Sequence, residues 1–171
     1  MHILVTGGCG FTGTILTNDL IAIGHKVTVV DIQWFGNYLK PNKNLKIFKL
    51  DVRDYKKIPL KKVDVIVHLA SIANDPSVEL NPKLSWEVNV LATQKLIERA
   101  VSNRVKQFIF ASSGSVYGVK KEKKVTEKLS LVPISTYNKT KMITERVLKS
   151  YESDKKEWCD LWGENSKLHE Q

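Results

Sequence analysis

The sequence predicts an α/β fold in which about five parallel strands form one sheet with helices on both faces. Short apolar and β-branched segments alternate along the chain with longer segments of helical periodicity. Strands that alternate with helices form β-α-β units, and such units require a parallel sheet with right-handed crossovers. A glycine-rich turn joins the first strand to the first helix, which is typical of the doubly wound, Rossmann-type arrangement.

The strands are predicted from runs of valine, isoleucine, leucine and phenylalanine that are bounded by turn residues. The third run is more polar than the others, so we expect it toward an edge of the sheet. The five predicted strands comprise residues 2–6, 26–31, 45–50, 63–70 and 107–112.

Three helices are predicted between and after these strands, and Gly24 ends the first of them as a C-cap glycine would. The loops 33–44 and 119–136 are long enough that we expect them to contribute to a functional site. The predicted helices comprise residues 14–23, 83–102 and 137–151.

Composition and charge exclude several classes of protein. The chain has 171 residues, 42% hydrophobic and 26% charged, as expected of one globular domain. Its net charge of +9 comes mostly from lysine, since only four of the 27 basic residues are arginine. Nucleic-acid binders use arginine more often and present it on a recognisable module, so we expect no nucleic-acid partner. The positive field would suit anionic ligands.

The chain also lacks the signals of a membrane, secreted or metal-binding protein. No apolar run approaches the roughly 20 residues that cross a bilayer, and no leader precedes the first strand. We therefore expect a cytoplasmic protein without a membrane partner. Cys9 and Cys159 lie far apart without metal-ligand spacing, so we expect free thiols and no metal site.

The glycine-rich turn follows a strand and opens a helix, which is the context of a dinucleotide-binding turn. Gly7 permits the sharp turn, Gly10 lets the backbone approach a pyrophosphate, and Gly13 lets the helix pack closely on the strand. Phe11 and Thr12 lie where the unpaired N–H groups of the helix N-terminus would face the phosphates. The glycine spacing differs from the commoner Gly-x-Gly-x-x-Gly. A tight glycine turn that binds no ligand is therefore the other interpretation.

Asp31 ends the second predicted strand, 18 residues after Gly13. A carboxylate at this place can accept both ribose hydroxyls of an adenosine, although a strand-end acid without a ligand is the other interpretation. It would repel the 2′-phosphate of NADP, and the next three residues supply no cation. The predicted cofactor is therefore NAD.

Tyr137 and Lys141 are four residues apart at the start of the last predicted helix, on one face. A lysine beside a tyrosine favours the phenolate and lowers the pKa of the tyrosine, which makes it a usable general base. Ser113 follows the fifth strand at the sheet edge where ligands bind, and could hydrogen-bond a substrate hydroxyl. The other interpretation of Tyr137 and Lys141 is a surface pair, and the other interpretation of Ser113 is a cap at the end of the strand.

Together these motifs resemble the extended short-chain dehydrogenases/reductases, and most closely the NAD-dependent epimerase/dehydratase branch with its nucleoside-diphosphate-sugar epimerases. The resemblance implies that Tyr137 is the base and that Lys141 lowers its pKa and holds the nicotinamide ribose. It implies that Ser113 orients the reacting hydroxyl. The residues that carry the resemblance are 6–13, Asp31, 112–118 and 137–141.

The resemblance also implies further cofactor contacts. Asp51 and Val52 resemble the family's adenine-contacting pair after the third strand. Leu69 and Ala70 resemble the loop that passes under the nicotinamide, and Asn89 resembles the helix asparagine that steadies the active site. The implied partners are a nucleotide-sugar substrate and, as in the family, a second copy of the chain in a homodimer.

The implied reaction is epimerisation or oxidation of a sugar nucleotide by hydride transfer. Sugar-nucleotide 4,6-dehydratases of the family carry an Asp-Glu pair where this chain has Gly114 and Ser115. Because the acid/base pair for water elimination is missing, we expect epimerase or simple dehydrogenase chemistry. The competing interpretation is a non-catalytic NAD-binding or interaction module.

The resemblance covers residues 1–153, which we predict to form the NAD-binding domain. Residues 154–171 are predicted to be an atypical, poorly ordered polar tail without strand alternation. The family continues with a sixth strand and a substrate-binding domain, so truncation is the favoured interpretation, and a natural minimal domain with its own short tail is the other. From this we expect an exposed sheet edge beside the fifth strand, weak NAD binding and low turnover.

Overall fold

The computed structural model describes residues 1–152 and 159–161, in which one six-stranded sheet runs through the molecule. All neighbouring strands are parallel, in the order β3-β2-β1-β4-β5-β6 of a doubly wound fold, as predicted. The strands are β1 (His2–Thr6), β2 (Lys26–Asp31), β3 (Leu45–Lys49), β4 (Val65–His68), β5 (Gln107–Phe110) and β6 (Cys159–Leu161).

The predicted helix 83–102 is one helical run whose middle, Glu87–Ala92, is a π-helical segment. A further short helix before it is not predicted by the sequence pattern, and Asn74 caps it by accepting a hydrogen bond from the Ser77 N–H at 3.1 Å. The helices are α1 (Phe11–Ala22), α2 (Asp75–Leu80), α3 (Pro82–Trp86), α4 (Thr93–Ser102) and α5 (Thr136–Glu152). Within the described ranges, none of the helices has the length and apolarity to span a membrane.

The core lies on both faces of the sheet, because successive side chains of a strand point to opposite faces. In β1, Leu4 packs in a cluster with residues of α4 and α5, whereas Ile3 and Val5 pack in a second cluster with residues of α1. The central strands are therefore buried on both sides, which accounts for their continuous apolar runs.

Parallel pairing brings the carboxyl ends of the strands to one edge of the sheet. Thr6 is in register with Val30 on one side and His68 on the other, and His68 is in register with Phe110. The segments that follow β1, β2, β4 and β5 therefore begin side by side at this edge, where open α/β sheets bind their ligands.

The sixth strand corrects the prediction for the end of the chain. Cys159–Leu161 pairs in parallel with β5, with Cys159 opposite Phe108 and Leu161 opposite Phe110. The expectations of no strand there and of an exposed edge at β5 are therefore wrong. The strand was not predicted because three residues are too few for an alternating pattern to indicate a strand. The remainder of the predicted tail lies outside the described residues, and its boundary at residue 153 stays a prediction.

Candidate active site

A cleft of about 790 Å³, open to solvent, lies along the carboxyl edge of the sheet. Its walls are formed by the segments that follow β1, β2, β3 and β4, with part of the helix bearing the π-helical segment. Most of the predicted cofactor contacts thus meet in one place. The predicted residues that line it are Gly7, Gly10, Asp31, Asp51, Val52, Leu69 and Ala70.

The glycine turn is packed so closely that Gly7 and Gly13 have no room for a side chain against the neighbouring backbone. Gly7 has φ of +73°, and a Cβ there would lie 2.7 Å from the backbone nitrogen of Ala70. A Cβ on Gly13 would overlap the carbonyl oxygen of Gly7 and lie 2.6 Å from Gly8 Cα. Gly7 therefore sets the approach of the turn to the segment after β4, and Gly13 sets the approach of α1 to the turn.

The helix after the turn begins at Phe11, three residues before the predicted start. Phe11, Thr12 and Gly13 thus form its first turn, where backbone N–H groups have no intrahelical acceptor. The side chains of Phe11 and Thr12 are exposed and do not line the cleft, so these residues can serve a phosphate only through their backbone.

Asp31 lies at the end of β2, as predicted, and is hydrogen-bonded to the glycine turn. One carboxylate oxygen accepts a hydrogen bond from the Cys9 N–H at 3.0 Å, and the other accepts one from the Gln33 N–H at 2.6 Å. Burial, with help from the Asp31 carboxylate, raises the pKa of the Cys9 thiol to about 11. Cys9 is therefore a neutral packing residue and not a nucleophile.

The loop after β2 adds aromatic side chains to the mouth of the cleft, in line with the expectation that residues 33–44 serve a site. Trp34 and Phe35 line the cleft and are 59% and 82% exposed. The loop is anchored beneath the turn, where Leu39 is buried and Asn37 contacts the Cys9 thiol at 3.6 Å. The predicted loop 119–136 contributes no residue to this cleft.

Arg53 is a cleft residue that the sequence reasoning missed. Its Nη2 donates to Asp51 at 2.7 Å, and its Nη1 donates to Glu87 at 3.3 Å. Burial raises the pKa of Asp51, but the hydrogen bonds from Arg53 outweigh it and hold the pKa below its ordinary value. The guanidinium is thus engaged by two carboxylates. The position of Arg53 two residues after Asp51 is the feature of the sequence that could have predicted its presence in the cleft.

Lys141 is buried on α5, where its Nζ donates to the Ala111 carbonyl at 2.8 Å. The ammonium also lies 4.8 Å from the ring centroid of Phe110 and 5.8 Å from that of Tyr137. Burial lowers the pKa of Lys141 to about 8, and the Glu145 carboxylate opposes the shift. The predicted Tyr137–Lys141 pair is therefore not a surface pair but faces the sheet edge.

Tyr137 differs from the expectation in its acidity. Burial raises its pKa above the ordinary value, the charge of Asp75 adds to that rise, and a hydrogen bond with Ser113 opposes it. Lys141 does not lower this pKa, because its ammonium is directed at the Ala111 carbonyl and lies over the ring.

Ser113 lies at the end of a hydrogen-bonded row on the turn after β5. Its Oγ is 2.7 Å from Ser115 Oγ and accepts from the Ser115 N–H at 3.2 Å. Ser115 in turn donates to the Asn138 side chain at 2.6 Å. The structure therefore brings Ser113 and Tyr137 together, as the sequence predicts, and fixes the serine from its other side.

Asn89 lies on the π-helical segment and does not line the cleft. Its amide oxygen accepts from the Ile72 N–H at 2.8 Å, and its amide nitrogen donates to the Ile72 carbonyl at 3.0 Å and to Thr140 Oγ1 at 3.2 Å. Asn89 thus joins the wall after β4 to α5, which fits a steadying role and not a direct cofactor contact.

Glu145 and Ser112 form a second missed feature beside Lys141. Glu145 is buried, lies four residues after Lys141 on α5, and accepts a hydrogen bond from Ser112 Oγ. The spacing of four from Lys141 was the available signal. This carboxylate opposes the effect of burial on the pKa of Lys141.

Replacing Glu145 with glutamine should lower the pKa of Lys141 further below about 8, because the anion that opposes the burial effect is removed. The folded pKa of Lys141 is depressed from 10.5, so through this group the free energy of unfolding rises with pH between about 8 and 10.5. In the variant that window should begin at lower pH. Titration of lysine side-chain carbons by NMR measures the shift.

Glu98→Gln is the matched control, because Glu98 pairs with exposed Lys95 at 2.9 Å on the surface of α4. This variant should leave the Lys141 titration unchanged. A Lys141 midpoint that stays in place in Glu145→Gln would show that the two charges are not coupled.

Comparison with known proteins assigns this site to a family. The sequence model described as the NAD dependent epimerase/dehydratase family matches residues 3–159, which extends past the predicted end of the resemblance at residue 153. UDP-glucose 4-epimerase 4 of Oryza sativa subsp. japonica is 31% identical over 172 residues, covering 91% of this chain and 46% of the relative.

Solved structures agree with the sequence comparison. A UDP-N-acetylglucosamine 4-epimerase from Methanobrevibacter ruminantium M1, in complex with UDP-N-acetylmuramic acid, has a TM-score of 0.86 at 32% identity, covering 94% of this chain and 53% of its own. The UDP-glucose 4-epimerase of Thermus thermophilus, in complex with NAD, has a TM-score of 0.81 at 29% identity, covering 92% and 53%.

The chain spans about half the length of the relatives it matches. The matched half contains the glycine turn and Asp31, which line the cleft, and Ser113, Tyr137 and Lys141, which do not line it and lie beyond the carboxyl end of β5 and on α5. The chain belongs to the NAD-dependent epimerase/dehydratase family.

Proposed function

We propose that this chain is the cofactor-binding and proton-transfer half of a sugar-nucleotide epimerase. The observation that carries the proposal is the buried ammonium of Lys141, which is bonded to the Ala111 carbonyl after β5 and lies 5.8 Å from the ring centroid of Tyr137, at the carboxyl edge of the sheet that also forms the Asp31 cleft. Relatives named UDP-glucose 4-epimerase indicate a uridine-diphosphate hexose as the substrate class.

The cleft fits NAD by its shape and its charges. Gly10 leaves the backbone open at the start of α1, where a pyrophosphate would lie. Asp31 would hold the adenosine ribose, and Asp51 and Val52 would contact the adenine. Bound NAD supplies a reversible hydride acceptor. Arg53 is held by two carboxylates, so it offers no free cation to a 2′-phosphate.

Tyr137 would take the proton of the sugar hydroxyl while Ser113 orients that hydroxyl. Because the raised pKa of Tyr137 keeps the phenol protonated near neutral pH, Tyr137 acts as the base only after it has released its own proton to solvent, and turnover should rise with pH. Lys141 remains mostly protonated at pH 7, since its pKa is about 8, and its ammonium would hold the nicotinamide ribose. Oxidation then gives a keto sugar, and reduction of its other face inverts the carbon.

Epimerisation is favoured over dehydration by the turn after β5. This family includes both reactions, so the fold does not separate them. Residues 114–117 form a single 3₁₀ turn, and Gly114 and Ser115 occupy the place of the dehydratase Asp-Glu pair. Neither can act as the acid or base that eliminates water.

Titration calorimetry and product analysis test the proposal. The chain should bind NAD at least about tenfold more tightly than NADP, because Asp31 repels a 2′-phosphate. It should also interconvert UDP-glucose and UDP-galactose, slowly if contacts to the sugar lie in the half of the relatives that this chain does not match. Equal affinity for NADP would overturn the cofactor assignment. Tight NAD binding with no conversion would favour a non-catalytic module.

The homodimer implied by the family resemblance and the cytoplasmic location expected from the sequence stay predictions. Light scattering of the purified chain measures the mass in solution and thereby decides the first of them.

A further inference from the structure

A buried row of polar side chains crosses the molecule beneath the cleft. His68, at the end of β4, places its Nδ1 at 2.6 Å from Thr6 Oγ1 on β1 and its Nε2 at 2.8 Å from Thr93 Oγ1 at the start of α4. All three side chains are at most 1% exposed. Buried polar groups of this kind are retained only with their hydrogen bonds made, so the direction of each bond can be worked out.

The hydroxyl of Thr93 fixes the tautomer of His68. Its single proton is donated to the backbone carbonyl of Asn89 at 2.9 Å, so its oxygen must accept from the Nε2–H of His68. Burial and the nearby charge of Lys141 lower the pKa of His68 to about 3, so the imidazole is neutral and has only one N–H.

The other ring nitrogen then fixes Thr6. A neutral imidazole with Nε2–H accepts at Nδ1, so the Thr6 hydroxyl donates its proton to His68. The oxygen of Thr6 is left to accept, and the Ala70 N–H lies 3.4 Å from it. The bonds therefore run in one direction, from the cleft wall at Ala70 through Thr6, His68 and Thr93 to the Asn89 carbonyl.

At the Asn89 carbonyl, the row meets α5, the helix that carries Tyr137. The Asn89 carbonyl also accepts from Thr144 on α5 at 2.9 Å. The Asn89 side chain holds both backbone groups of Ile72 and donates to Thr140, which in turn donates to the Tyr137 carbonyl at 2.7 Å. The wall at residues 69–72 is thus attached at two points to a network that ends on α5.

We propose that His68, held as the Nε2–H tautomer between Thr6 and Thr93, is a positioning residue that keeps the 69–72 wall in register with the helix carrying Tyr137. A neutral imidazole presents one donor and one acceptor at opposite edges of a rigid ring, which this row requires between two hydroxyls. The inference rests on the proposed function only in taking the 69–72 wall as the nicotinamide side of the cleft.

Thr93→Val tests the inference, because Thr93 touches neither Ala70 nor the cleft. In the unsubstituted chain, ¹⁵N NMR should show His68 protonated at Nε2 and bare at Nδ1. In Thr93→Val the second tautomer should be populated, and exchange of the Ala70 amide should accelerate by about tenfold. NAD should bind about fivefold more weakly. Thr93→Ser keeps the hydroxyl and should restore all three readouts.

Two controls separate positioning from general stability. Thr17→Val removes a buried threonine hydroxyl that has no hydrogen-bond partner among the described residues, and it should change none of the readouts. Ile97→Val trims the core side of α4 without entering the row. It should lower the unfolding temperature without altering the tautomer or the Ala70 amide.

Three results would overturn the inference: an Nδ1–H tautomer in the unsubstituted chain, an unchanged tautomer in Thr93→Val, or an Ala70 exchange rate in Thr93→Val no faster than in Ile97→Val. The unsubstituted spectrum decides the tautomer even if Thr93→Val does not fold. Should the unsubstituted chain fail to bind NAD, the proposed function fails, while the tautomer and exchange readouts still decide the inference.

Discussion

Tyr137→Phe should lower the rate of sugar-nucleotide turnover by about 10³-fold, because it removes the group that takes the substrate proton. The phenyl ring keeps the shape of the site and its contact with the Lys141 ammonium, which lies 5.8 Å from the ring centroid. NAD affinity should therefore stay close to that of the unsubstituted chain. Loss of rate with retained cofactor binding separates a catalytic role from a structural one.

Single-turnover reduction of bound NAD, followed by near-ultraviolet absorbance after UDP-glucose is added, measures the effect even if steady turnover is low. Tyr55→Phe is the matched control, because Tyr55 packs on the core cluster that contains Leu4 and does not line the cleft. It should reduce the cofactor at the ordinary rate. Full activity in Tyr137→Phe would remove Tyr137 as the base.

Gly13→Ala should destabilise the fold by about 2–4 kcal/mol and abolish detectable NAD binding. An added Cβ would overlap the Gly7 carbonyl oxygen and lie 2.6 Å from Gly8 Cα. These neighbours are backbone atoms of the turn itself, so relief requires α1 to move away from the strand. Chemical denaturation and calorimetry measure the two effects.

Two other glycines provide controls for this substitution. A Cβ on Gly114 meets nothing within 4 Å, so Gly114→Ala should change stability by less than about 0.5 kcal/mol. A Cβ on Gly10 would lie 3.3 Å from Gly7 O, so Gly10→Ala should fold but bind NAD more weakly, since the methyl would meet the pyrophosphate. Equal stability of Gly13→Ala and Gly114→Ala would contradict the packing argument.

The predictable part of this protein is encoded locally. The strands β1, β2 and β4 are continuous apolar runs. The turn between β1 and α1 needs glycine, and this need can be predicted from the strand before it and the helix after it. Tyr137 and Lys141 share a helix face through their spacing alone. The role of Asp31 in the cleft is predicted from its position at the end of β2, the strand beside the glycine turn.

The unpredicted part depends on residues far apart in the chain. Arg53 meets Glu87 across 34 positions, and His68 meets Thr6 across 62. The acidity of Tyr137 depends on its burial and on Asp75, neither of which follows from a lysine four residues away. The strand Cys159–Leu161 exists through its pairing with β5, so its own three residues carry little signal.

The all-parallel sheet has a consequence for how the chain reaches this structure. No pair of strands can form as a hairpin, so each must wait for a crossover to close, and closure costs more entropy as the connecting segment lengthens. Among strands that pair directly, the two shortest connections are residues 7–25, from β1 to β2, and residues 32–44, from β2 to β3. The glycine turn and Asp31 therefore belong to the part of the sheet that can assemble earliest. We therefore expect substitutions in the glycine turn to change the folding rate as well as cofactor binding, and the refolding rate of Gly13→Ala measures this effect.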